Sequence, residues 1–279
     1  MTSSSLKTVE DLIVYGKSKV HSTHAKMLLA NLLGKNPLEL LNYLDMEVSS
    51  DIIEKYLNQL EVLSSNKPIQ YVIGTSNFYG NDYIVNEHTL IPRFETEELV
   101  EKTLEYMEEL FPNQSLKVID LGCGTGCIGI TIKKKKPSSS VTLVDISEET
   151  LIVAQENARR LETELTIINS DYFSNITDKF DVVISNPPYI KEDEEIEDIV
   201  KNNEPHLALY AGSDGLDAYR QILSTIKEHL NNHYLIAFEI GYTQKEEVIN
   251  LIRENLPDST IIAKQDMQER NRMIFAYKI

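Results

Sequence analysis

From residue 116 to the C-terminus the apolar positions alternate between two patterns. Short runs rich in apolar and β-branched residues at 116–121, 141–145, 165–169, 180–185, 234–240, 259–264 and 272–278 read as strands, since runs of this length suit a sheet buried on both faces. Between most of them apolar residues recur at three- and four-residue spacing, which predicts helices including 148–161, 216–230 and 244–255. Strand and helix in alternation imply an α/β fold, a doubly wound, seven-stranded and mostly parallel sheet.

Upstream the period is helical. Val9, Leu12, Ile13 and Gly16 mark one helix, the run 25–33 stops at Gly34, Pro37 opens a third, and Ile52, Ile53, Tyr56, Leu57 and Leu60 mark a fourth. These predict a small helical domain over 1–67. From Pro68 the pattern shifts, with residues 69–73, Phe78-Tyr79 and Tyr83 to Val85 separated by turns at Gly74 and Gly80-Asn81-Asp82, and a β-hairpin linker over 68–92 is expected. The remaining segment, 93–279, opens with a helix carrying Leu99, Val100, Leu104, Met107 and Leu110 on one face. Arg93, Glu95, Thr96 and Glu97 at its start read as capping residues that also permit a ligand contact, with Arg93 expected against Glu97.

The fourth strand of the sheet runs into Asn186-Pro187-Pro188-Tyr189. The two prolines forbid the strand to continue and stiffen the turn, so the Asn186 side chain and the Pro187 carbonyl offer two acceptors aimed at one point. A side-chain amide or exocyclic amine bonded to both would be fixed in orientation, its nitrogen open to an electrophile. For the tetrapeptide alone, a turn after a strand is the plainer reading.

The first strand changes that weighing. Val118-Ile119-Asp120-Leu121-Gly122-Cys123-Gly124-Thr125-Gly126 is a strand followed by a glycine-rich turn, and Asp145 at the end of the second strand suits a ribose diol. The spacing Gly124, Gly126, Gly129 also fits a dinucleotide fingerprint. Asp120 separates the two: a carboxylate before the glycines repels a pyrophosphate and suits the ammonium of S-adenosylmethionine. Asp171 and Tyr172, after the third strand, sit where an adenine amino group and ring would lie; Ile146 follows Asp145.

Composition narrows the partners. The net charge is −17, of which −14 falls after residue 92, and this opposes an extended nucleic-acid surface. The run Lys133 to Lys136 reads as a solvated helix end, and the acidic run 192–198 as a solvated face. Cys123 and Cys127 fit neither a disulfide framework nor a CxxC pair, and no signal peptide or membrane span is evident, so a reducing cytoplasm is the expected compartment. The histidines show no zinc-ligand spacing, and no metal is expected.

The chain as a whole resembles the release-factor glutamine methyltransferases, the HemK/PrmC family. The resemblance rests on Pro68-Ile69-Gln70-Tyr71, Phe78-Tyr79-Gly80, Ile91-Pro92-Arg93, Glu95-Thr96-Glu97, the Asp120 to Gly126 loop, Asp145-Ile146-Ser147, Asn186-Pro187-Pro188-Tyr189, Glu204-Pro205, Asp214-Gly215-Leu216 and Glu239-Ile240-Gly241. It implies a class I methyltransferase fold and S-adenosylmethionine as cofactor, held by Asp120, Gly122, Cys123, Gly124, Thr125, Gly126, Asp145, Ile146, Asp171, Tyr172 and Asn186. It further implies methylation of the glutamine amide in the Gly-Gly-Gln loop of peptide chain release factors. Asn186 and Pro187 would accept the amide hydrogens, Pro188 would stiffen the loop, and Tyr189 would pack on the glutamine. A monomer without membrane or direct nucleic-acid contact is expected. A ribosomal-protein glutamine and a nucleic-acid amine stand as alternative acceptors. Two residues depart from the family pattern: Phe94 stands where proline is usual and Glu269 where glycine is usual.

Overall fold

The computed structural model describes residues 6–279, in two compact units. One comprises the chain up to Thr75 together with Glu197–Asn203; the other comprises Ser76–Ile196 and Glu204–Ile279.

The first unit is helical: α1 (Val9–Lys17), α2 (Ser22–Leu33), α3 (Ser50–Ser64) and α4 (Ile69–Ile73), with the short α8 (Asp198–Lys201) from the later segment. A reciprocal capping box starts α1, in which Asp11 N–H donates to Thr8 Oγ1 at 3.2 Å and Thr8 N–H to Asp11 Oδ2 at 3.0 Å. Leu12, Leu28, Leu29, Tyr56 and Leu60 form its core. The Tyr56 hydroxyl lies 3.2 Å from the carbonyl oxygens of both Leu12 and Ala25, and a Cβ on Gly16 would stand 2.0 Å from it, so α1 approaches α3 only through a glycine.

Residues 69–73, expected as a strand, are the helix α4. Their apolar, β-branched run imitates a strand, but Pro68 presets the entry and Gly74, at φ +84°, closes a single turn. The hairpin is therefore shorter, β1 (Thr75–Phe78) and β2 (Asn81–Ile84), joined through Tyr79 and Gly80 with φ of +50° and +77°. Phe78 and Tyr83 are fully buried in the core of the second unit.

The second unit carries α5 (Phe94–Leu110), β3 (Lys117–Leu121), α6 (Cys127–Lys135), β4 (Ser140–Asp145), α7 (Glu148–Arg160), β5 (Thr166–Asn169), β6 (Phe180–Ser185), α9 (Asp217–Ile226), β7 (Leu230–Glu239), α10 (Lys245–Asn255), β8 (Thr260–Gln265) and β9 (Asn271–Lys278). The seven strands β3 to β9 stand in the order β5-β4-β3-β6-β7-β9-β8. All neighbouring pairs are parallel up to β7, and β9 is antiparallel to both β7 and β8. After β5 the chain returns to the other side of β3, so the order reverses between β3 and β6. Open α/β sheets bind ligands beyond the strand ends at such a reversal. Separate apolar clusters cover the two faces: Val118, Val182 and Leu235 face one, Ile119, Val183 and Ile236 the other. No helix among the described residues is long and apolar enough to cross a membrane.

Candidate active site

A cavity of about 550 Å³ opens at the C-terminal ends of β3, β4, β5 and β6. Its walls include Gly122, Gly124, Asp145, Ile146, Asp171, Tyr172, Asn186 and Pro188, together with His88, Leu90, Leu207, Tyr210 and Gln221. The sheet topology thus gathers residues from four separate strand ends around one space.

The glycine loop after β3 is fixed from several directions. Cys123 N–H donates to Val144 O at 2.9 Å and Gly124 N–H to Asp145 Oδ2 at 3.0 Å, while Asp145 Oδ1 accepts from Ser147 N–H at 3.0 Å. Gly124 has φ +54° and nothing within 4 Å of where a Cβ would stand, so the loop presents bare backbone to the cavity. At Gly129, a Cβ would lie 2.2 Å from Leu143 Cδ2, and its absence lets α6 sit close on β4. Burial pushes the Asp145 carboxyl above its usual range.

Asp120, Cys123, Thr125 and Gly126 do not line the cavity; they are buried behind the loop. Asp120 is wholly buried, its Oδ2 accepts from Gly129 N–H at 2.9 Å, and its Oδ1 has no partner. Desolvation pushes its carboxyl up to about 7, against the opposing pull of the Gly129 N–H. Burial also pushes the Cys127 thiol up to about 12.

At the end of β6, Ser185 donates to Leu121 O at 2.6 Å and ties the tips of β6 and β3 together. Asn186 Nδ2 donates to Thr96 Oγ1 at 3.1 Å; Asn186 Oδ1 accepts no hydrogen bond among the described residues. Pro187 is buried and is absent from the cavity wall, which Pro188 joins. Tyr189 also turns away from it: its hydroxyl is 3.5 Å from Glu239 Oε1, and its carbonyl accepts from Gln244 Nε2 at 2.9 Å. Gly215 passes so close beneath that a Cβ there would lie 2.4 Å from the Tyr189 oxygen.

Three supporting residues escaped the sequence reading in their roles. Thr96 was read as a helix cap, yet its hydroxyl is buried and lies 2.7 Å from Glu239 Oε2. Glu239, at the end of β7, is wholly buried. Asn157 of α7 takes Ile84 N–H on Oδ1 at 2.7 Å and donates through Nδ2 to Ile84 O and Thr125 O at 3.1 and 3.0 Å, bracing hairpin and glycine loop together. Arg93 does not meet Glu97. It pairs with Glu204 at 2.6 Å, which also accepts Ile91 N–H at 3.1 Å, because Glu204 is buried and needs both donors; Glu97 accepts Tyr79 N–H at 3.0 Å instead.

Comparison with known proteins narrows the reading. The PrmC N-terminal domain family matches residues 18–74 and the Methyltransferase small domain family residues 94–211. The release factor glutamine methyltransferase of Streptococcus pneumoniae is 41% identical over 234 residues, covering 83% of this chain and 82% of that protein. The chain belongs to the release factor glutamine methyltransferase family. The member from Bacillus anthracis is 37% identical over 256 residues, 90% of each chain. The fold extends further than this family. The hMettl16 catalytic domain, solved with a 3′UTR hairpin, superposes with TM-score 0.56 at 14% identity over 89% of this chain and 91% of that one. A methyltransferase from Pyrococcus furiosus gives 0.51 at 15% identity over 82% and 99%. These likenesses place the second unit in the class I methyltransferase fold.

Proposed function

We propose that this protein moves the methyl group of S-adenosylmethionine onto the side-chain amide nitrogen of the glutamine in the Gly-Gly-Gln loop of peptide chain release factors. The observation that carries the reading is Asn186: anchored through Nδ2, it leaves Oδ1 without a partner at the wall of the switch-point cavity. Family membership supplies the acceptor.

The residues present fit the cofactor. Asp145 keeps lone pairs for a ribose diol, Asp171 would accept from the adenine amino group, and Ile146 and Tyr172 would bound the base. Gly122 and Gly124 let the methionine part approach the backbone, with Cys123, Thr125 and Gly126 shaping the loop behind them. The orphan Oδ1 of Asp120 adds a negative field suited to the ammonium. Bound S-adenosylmethionine supplies a methyl group already activated by its sulfonium.

The chain's own task is positioning, because an amide nitrogen is a poor nucleophile with a delocalised lone pair. Asn186 Oδ1, at the cavity wall, accepts an amide hydrogen and stabilises the positive charge that develops on nitrogen, whereas Pro187, buried and off that wall, leaves its expected acceptor role without support from the lining. Holding reactants in line lowers such barriers by roughly 7–11 kcal/mol. Pro188 walls the pocket, and Tyr189 holds the loop through Glu239 and Gln244. The methylated amide, once cationic, is acidic enough to lose its proton to water.

We assign the protein to the cytoplasm as a monomer acting on a protein substrate; the net charge of −17 opposes a nucleic-acid acceptor. Replacing Asn186 by Ala should lower label transfer from S-adenosylmethionine to a release factor by at least about 100-fold with cofactor affinity nearly unchanged. Wild-type transfer by that variant would sink the assignment.

A further inference from the structure

We propose that Thr96 and Glu239 are positioning residues that set which end of the Asn186 amide faces the substrate. The proposal rests on the reading of Asn186 as the acceptor of the glutamine amide.

Thr96 has one hydroxyl hydrogen, and its oxygen lies 2.7 Å from Glu239 Oε2 and 3.1 Å from Asn186 Nδ2. A carboxylate accepts only, so the Thr96 hydrogen goes to Glu239. The Thr96 oxygen is then left to accept, and Nδ2 is the only end of the Asn186 amide that can donate to it. Oδ1 therefore faces the cavity, where an incoming amide N–H₂ needs an acceptor. A protonated Glu239 reverses the chain: it donates to Thr96, Thr96 donates to Asn186 Oδ1, and Nδ2 faces the substrate N–H₂, donor against donor.

The surroundings make that reversal reachable. Glu239 is wholly buried, and desolvation pushes its carboxyl up to about 7 despite the Thr96 hydrogen bond. Arg272 from β9 favours its charged form, Glu95 from α5 opposes it, and the Tyr189 hydroxyl faces its other oxygen. Tyr219 of α9 donates to the Glu239 backbone oxygen at 2.7 Å. Thr96 is 3% exposed, so water does not substitute for it.

The test measures methyl transfer to a purified release factor against pH for wild type, Thr96→Val, Thr96→Ser and Glu239→Gln, with S-adenosylhomocysteine affinity measured alongside. Wild-type kcat should fall as pH drops below the Glu239 titration. Thr96→Val should lower kcat by about 10- to 100-fold at pH 8, in line with the cost of a misplaced group, with cofactor affinity within about 2-fold. Thr96→Ser should restore most of it, and Glu239→Gln should lack the acidic fall. Equal kcat in Thr96→Val and wild type, equal impairment in Ser and Val, or an unchanged acidic limb in Glu239→Gln would each overturn the proposal. Should Thr96→Val not fold, the Ser variant and the Glu239→Gln profile decide alone. Failure of wild type to label the release factor at all would instead refute the functional reading.

Discussion

Glu239 and Asp120 are carboxyls held out of water, each pushed to about 7 by desolvation. For such a group the unfolded chain loses its proton first as pH rises. Glu239 therefore contributes stability that is fully present below its ordinary value of 4.5 and is lost as pH climbs through about 7. Thermal unfolding should show wild type losing more stability between these limits than Glu239→Gln, and parallel curves would refute the assignment. Asp120 was legible from its place before the glycines, but the role of Glu239 was not. Thr96, Asn186 and Glu239 meet only through tertiary packing, and no spacing in the chain records it. Asn186 was legible, because the prolines around it act locally. Glu269 shows how local geometry explains a departure: its φ is +61°, a left-handed conformation that glycine, usual there in the family, adopts without cost.

At the scale of elements, the strand–glycine turn–helix of β3 and α6 was readable because each part is specified by neighbouring residues. The helix α4 was not: five apolar residues are too few to distinguish helix from strand by period, and the flanking Pro68 and Gly74 decide it. The hairpin also proved more than a connector, since Asn157 bonds Ile84 on one side and Thr125 on the other. Substituting Asn157 by Ala leaves the buried Thr125 carbonyl and the part-buried Ile84 backbone groups unpaired. The expected loss is about 1–3 kcal/mol in urea unfolding, accompanied by weaker cofactor binding as the glycine loop loosens. A loss under about 0.5 kcal/mol would show that the brace is dispensable.

For the whole molecule, the alternation of strand and helix was enough to anticipate a doubly wound sheet, and the cavity lies at the reversal of strand order between β3 and β6, where open sheets of this kind bind ligands. What alternation does not contain is the strand order itself or the inclusion of Glu197–Asn203 in the helical unit, which follow from packing between distant segments. The strongly acidic balance and the family's acceptor point the same way, toward a protein substrate. The most direct test of the account is to incubate the enzyme with isotopically labelled S-adenosylmethionine, a release factor and competing transfer and ribosomal RNA, and to locate the label by peptide mass spectrometry. The account predicts a single methyl on the side-chain amide of the Gly-Gly-Gln glutamine, absent when that glutamine is replaced. Label on RNA, or on another residue of the factor, would contradict it.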